Sequence, residues 1–202
     1  MDREKVKQAF LKDVSNFEIK ILRDDNLYRH IRCGHKNGSS NHRFWITTWP
    51  GYLAITGDMG DFLFSRIEDM FIFFRDPHMR INPSYWDEKV KATSVFGDGT
   101  KKFSVEKFRE AVLNDARENL GVNDLNQNIM KELDPLLSLE TEYECIHAIQ
   151  SFYSEKVAFY DFWEHDTKEW TFHFIWLCYA IVWTINEYDR INIGAEPPRD
   201  HI

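Results

Sequence analysis

The chain has 202 residues, with 25 basic against 33 acidic side chains and a formal charge of −8. Hydrophobic residues make up 43% and aromatics 15%, which excludes a disordered chain and permits a core that hides about 70% of the unfolded chain's surface. The acidic balance argues against non-specific duplex DNA binding, which needs a basic field to displace counterions, although a local basic patch remains compatible with it.

Residues 3–14 predict an amphipathic helix with Val6, Ala9 and Phe10 inward, and the charged opening carries no secretory signal. Phe17, Ile19 and Ile21 alternate with Glu18 and Lys20, the pattern of a half-buried strand. Asp24-Asp25-Asn26 reads as a turn. The next strand, 27–32, sends Leu27, Arg29 and Ile31 one way and Tyr28, His30 and Arg32 the other. Residues 34–41 form a polar loop. Cys33, His35 and His42 flank it, but their spacing matches no common zinc finger or ribbon, so a hairpin loop is the better reading and no metal or other cofactor is expected.

The stretch from Arg43 to Arg75 organises the rest. Phe44, Trp45 and Ile46 form a strand. Trp49-Pro50-Gly51 is a turn, because proline presets φ at its second position and glycine accepts positive φ at the third. Tyr52 to Thr56 returns as the hairpin partner. Gly57-Asp58-Met59-Gly60-Asp61 is a glycine corner, read as structural ahead of an anion or metal site, and Phe62 to Phe64 is a short third strand. Ser65 and Glu68 have capping-box spacing. They predict a helix starting at Ser65, with Ile67, Met70, Phe71 and Phe74 on its apolar face and Asp69 on its surface.

Asn82-Pro83 has the form of an N-cap followed by proline at the first helical position. A strand over 90–96 is an alternative to further helix, with Lys102-Phe103 returning beside it around Gly97-Asp98-Gly99. Ser104 caps the next helix, and Gly121 stops it. Beyond Asn123 the pattern is helical: 125–133, broken by Asp134-Pro135, then 139–153 with Tyr143, Ile146, His147, Ile149 and Phe152 on its apolar side. Residues 159–163 are a strand or an aromatic connection. The last helix, 170–188, is capped from Asp166 or Thr167 and is apolar on nearly all sides, with Phe172, Trp176, Tyr179 and Trp183 as an aromatic stripe. It is short for a membrane span and reads as a central buried helix. The tail over 195–201 is proline-rich and expected to fray. The three cysteines suggest no disulfide framework.

Together these elements predict an α+β fold. An antiparallel meander of about five strands packs against helices in one domain, with a sheet-containing half over 1–103 and a helical half over 104–202.

Several segments resemble a family of uncharacterised bacteriophage and prophage proteins: Trp49-Pro50-Gly51-Tyr52-Leu53, Thr56-Gly57-Asp58-Met59-Gly60, Arg66, Glu68-Asp69-Met70-Phe71 and Phe73-Phe74-Arg75. Ile81-Asn82-Pro83, Tyr85-Trp86 and Lys89 continue the likeness. Glu4 to Lys7, Leu22 to Asp25 and Tyr28 to His30 precede it. It covers about the first 110 residues well and implies a phage accessory protein of the host cytoplasm. No catalytic residues carry over.

Three functions compete. The first is a non-enzymatic inhibitor that binds a host protein, such as a component of antiviral defence; high aromatic content and acidic charge motivate it. The second is a small-ligand or nucleotide binder using Trp49, Tyr52, Arg66 and the corner with Asp58 and Asp61, by stacking on rings and pairing a guanidinium with phosphate. The third is a metal-dependent hydrolase through Asp58 and Asp61. No hydrolase, kinase or nucleotide-loop signature is present in the sequence. No membrane association is expected, and the aromatic last helix leaves self-association open.

Overall fold

The computed structural model describes residues 1–95, 97 and 99–193. In chain order the elements are α1 (Arg3–Asp13), β1 (Phe17–Asp25), β2 (Tyr28–His35), β3 (Phe44–Trp49), β4 (Tyr52–Gly57), β5 (Phe62–Ser65), α2 (Met70–Phe74), α3 (Pro83–Asp87), β6 (Val90–Thr93), β7 (Lys101–Phe103), α4 (Val105–Leu120), α5 (Gln127–Leu137), α6 (Glu142–Ser151), a 3₁₀ turn (Phe162–Glu164), β8 (Lys168–Trp170) and α7 (Phe172–Ile193). The expected tail over 195–201, together with Phe96 and Asp98, lies outside the described residues.

The α+β fold is as expected. β1 to β6 form one antiparallel meander in chain order, six strands rather than five, because β6 pairs with β5 at the far edge. Lys101–Phe103 does not return beside β6. It pairs with β8 in a separate two-stranded sheet.

Two compact units result: residues 1–100 with 170–202, and residues 101–169. The last helix therefore groups with the sheet and not with the other C-terminal helices.

In the first unit, period-two alternation sorts the sheet into two faces. Ile31, Cys33, Phe44, Ile46, Leu53, Ile55 and Phe64 are fully buried on one face. That face joins α1, α2 and α7 in a single core. Phe174 to Val182 in α7 are buried all round, as an all-apolar helix requires. Thr171, not Asp166 or Thr167, caps α7: its hydroxyl accepts the Phe174 N–H at 3.2 Å. Trp176 meets Phe10 edge-on at 5.1 Å, and its Nε1–H donates to Asp13 at 3.0 Å. No helix among the described residues is long and apolar enough to cross a membrane.

The Ser65–Glu68 capping box does not form. Ser65 stays in β5 opposite Tyr52, and its N–H donates to the Lys89 carbonyl at 3.0 Å. Sheet pairing thus holds Ser65 itself in extended chain, and residues 66–68 bend before the helix. The helix begins only at Met70, with Asp69 as N-cap accepting from Phe71 N–H at 2.9 Å. Asn82 and Pro83 start α3 as expected.

In the second unit, α4, α5 and α6 share a core of Phe108, Val112, Leu133, Cys145 and Phe162. Ser104 caps α4, and Gly121 ends it in the left-handed conformation with φ +63°. α5 runs through Pro135 instead of breaking there. The proline lies in its last turn, where one lost backbone bond is tolerable. α6 starts at a Thr141–Glu144 capping box and turns Cys145 and Ile149 inward, while Tyr143 is exposed.

Candidate functional site

The opposite face of the six-stranded sheet is the most site-like surface of the first unit. Alternation in β3 and β4 brings Trp45, Thr47, Trp49, Tyr52, Ala54 and Thr56 to it, each half-buried or exposed. Pro50-Gly51, with Gly51 at φ +83°, closes the β3–β4 hairpin and sets Trp49 directly opposite Tyr52. The two rings stack with centroids 5.3 Å apart and planes 17° apart. Beside them runs a groove of about 580 Å³ lined by Trp49, Ala54, Thr56, Leu63, Ala92 and Val95, with Asp61 among its polar residues. Val95 is 92% exposed.

The five residues singled out from the sequence fall into three groups. Trp49 and Tyr52 meet in the stack. Asp58 and Asp61 meet at the glycine corner, where with His173, Thr93 and Ser94 they line a cavity of about 170 Å³. Asp61 also borders the groove that Trp49 lines. Arg66 goes elsewhere: its Nε–H donates to the Tyr85 hydroxyl of α3 at 3.2 Å, which raises the guanidinium's already high pKa. The guanidinium expected to serve the aromatic pair is thus tied to another partner.

The corner itself is built by close approach. Asp61 Oδ1 accepts the Gly57 N–H at 3.2 Å, and the Asp58 N–H donates to the Arg43 carbonyl at 3.1 Å. Gly57 has φ +155°, and a Cβ there would lie 2.3 Å from the Arg43 carbonyl oxygen. The described residues contain no group of three His, Cys, Asp or Glu side chains placed to hold a metal ion. Cys33, His35 and His42 are separated in this way. Cys33 is buried with its Sγ 3.4 Å from the Thr184 hydroxyl, His35 meets Phe17 edge-on, and His42 Nδ1 is 3.7 Å from Asp13.

No protein-family model, curated protein or solved structure matches the chain.

Three residues of this face were not among the sequence candidates: Arg32, Arg43 and Trp45. Arg32 pairs directly with Trp45 across β2 and β3, and the Arg43 guanidinium lies over the Trp45 ring at 5.0 Å. The alternation of β2 already assigned Arg32 to the face of Tyr28 and His30. Its neighbours across the sheet became visible only with the strand register.

Proposed function

We propose that the chain is a phage accessory protein of the host cytoplasm that acts as a non-enzymatic binder and inhibitor of a host protein, a component of antiviral defence being one such target. The observation that carries the binding role is the stacked Trp49–Tyr52 pair at the rim of an apolar groove on an open sheet face. Aromatic rings presented with their shape already set are the usual anchors of protein interfaces, because little side-chain entropy is lost on docking. The phage setting rests on the resemblance of the segments around Trp49, Thr56 and Glu68.

The small-ligand reading draws on the same stack, which offers a planar surface beside polar Thr56 and Asp61. A hydrolase using Asp58 and Asp61 has less behind it, since Asp61 is already engaged by the Gly57 N–H.

The test compares gentle co-purification from a bacterial host of the wild type and a Trp49→Ala, Tyr52→Ala double variant. The expected result is a host protein retained in stoichiometric amount by the wild type and lost from a variant that still folds. Retention by neither protein, or equally by both, overturns this reading.

A further inference from the structure

We propose that Arg32 and Arg43 form a phosphate-binding site at the β2–β3 end of the open sheet face, serving a nucleotide or a single nucleic-acid strand. The two side chains come from neighbouring positions of the sheet and meet at Gly34, where the Arg43 stem and an Arg32 guanidinium nitrogen both pass. Gly34, next to the end of β2, has no side chain. A Cβ built on it would lie 3.3 Å from Arg43 Cγ and 3.5 Å from Arg32 Nη2, so both side chains reach over the same position. Trp45 fixes the plane of the Arg43 guanidinium by lying beneath it at 5.0 Å.

Among the described residues neither arginine forms an ion pair, and the Arg43 Nε–H is buried without an acceptor. In a protein with eight excess negative charges, two neighbouring arginines without an ion pair among the described residues are a specific arrangement. Packing over Trp45 accounts for the stem of Arg43, but not for an orphaned donor next to a second cation. A phosphoryl group offers several acceptors and formal negative charge, and arginine forks match its geometry.

The surrounding charges are mixed. Lys20 pairs with Arg32 across β1 and β2 but is held by Glu18 at 3.0 Å. Glu18 stands directly opposite Gly34 across β1 and β2, and Asp58, just beyond β4, donates its N–H to the Arg43 carbonyl. The His30 ring nitrogen meets the Thr47 hydroxyl at 2.8 Å on the same face. This limited positive charge suits a ligand gripped at one or two phosphates, not a duplex tracked along its backbone. Trp45 and Trp49 are four residues apart on β3, roughly 13 Å. The aromatic pair at the far end would meet the second base of a strand, whereas a mononucleotide held by the phosphate next to its ribose would not reach it.

The arginine pair takes no part in the protein-binding reading above, whereas the strand form of the proposal shares its Trp49–Tyr52 stack. Binding of inorganic phosphate, ATP and a fluorescent oligo-dT would be measured by titration at low and moderate salt. The proteins would be the wild type, Arg32→Gln, Arg43→Gln and the Trp49→Ala, Tyr52→Ala variant, each checked for folding by its thermal transition. Saturable binding is expected to fall roughly tenfold or more in each arginine variant and to weaken with salt. Preference for oligo-dT, with a loss in the aromatic variant, identifies a strand as the ligand. Equal or better binding of ATP, unaffected by that variant, identifies a mononucleotide. No saturable binding of any probe by the wild type overturns the proposal, as does binding that both arginine variants retain. A poly-glutamate peptide bound as tightly as the phosphate probes, through the same arginines, overturns it in favour of an acidic protein segment.

Discussion

Arg29 and Asp69, forty residues apart, form a two-bond ion pair, Nη1 to Oδ1 at 2.9 Å and Nη2 to Oδ2 at 3.1 Å. Arg29 projects from the buried face of β2, and Asp69 is also the N-cap of α2. The guanidinium lies over the Phe71 ring at 4.5 Å. One carboxylate therefore ties the sheet to the helix and starts the helix.

Replacing Asp69 by Ala removes the cap and leaves Arg29 without its carboxylate. The expected cost is about 3 kcal/mol, read from urea unfolding. Burial works against the charged form of Asp69, but the Arg29 bonds and the Phe71 N–H outweigh it and hold the carboxyl below its ordinary 3.8. A depressed acid contributes stability above its unfolded-state value and loses it as pH falls through the folded-state value. The wild type should lose stability below about pH 4 more steeply than Asp69→Asn. Parallel acid transitions would contradict this role.

Gly57→Ala is expected to destabilise by about 3 kcal/mol or more, or to prevent folding. The added methyl would meet the Arg43 carbonyl oxygen at 2.3 Å and Phe44 Cα at 2.7 Å, backbone atoms where the chain enters β3. Gly38→Ala is a useful control, since nothing lies within 4 Å of a Cβ there. Gly38 has φ +84°, so its substitution carries only the local conformational cost of that backbone, about 1 kcal/mol. Equal transitions for the two variants would show that the corner can yield.

Cys33, Cys145 and Cys178 are all buried and free. Burial pushes the Cys33 thiol up to about 12, and that of Cys178 well above its ordinary value. The thiolate is the reactive form, so a maleimide at about pH 8 should leave the folded protein unlabelled. After denaturation it should label all three. Rapid labelling of the native state would show that the core opens locally.

Asp115 in the second unit is buried, with Oδ2 lacking a partner and Oδ1 3.8 Å from His165 Nε2. Burial raises its carboxyl pKa by more than the His165 charge lowers it. A raised acid destabilises the fold as pH climbs past its unfolded-state value. Asp115→Asn should therefore gain stability relative to the wild type as pH rises past the ordinary carboxylate value, measured by Tm across a pH series. A constant difference would mean that Asp115 stays hydrated.

Local patterns were sufficient where neighbours in sequence do the work. Alternation over Phe17–Ile21 and Leu27–Arg32, the Trp49-Pro50-Gly51 turn, the Asn82-Pro83 start and the Gly121 stop were each legible, because each depends on φ preferences or on period alone. The buried character of α7 followed from its composition. The helix at Ser65 failed for the opposite reason: Ser65 satisfies its backbone through Tyr52 and Lys89, partners that no local window contains. Pro135 likewise obeyed a position within its helix and not a general rule.

The site divides in the same way. The sequence by itself determined an aromatic, acidic α+β chain with a rigid Trp49–Tyr52 hairpin. Only the tertiary structure decided that Arg66 turns to Tyr85, that Asp69 holds Arg29, that Arg32 and Arg43 meet over Gly34, and that Trp45 lies opposite Arg32 and under Arg43. Strand register brings those groups together, and register depends on which face the core buries along the whole sheet.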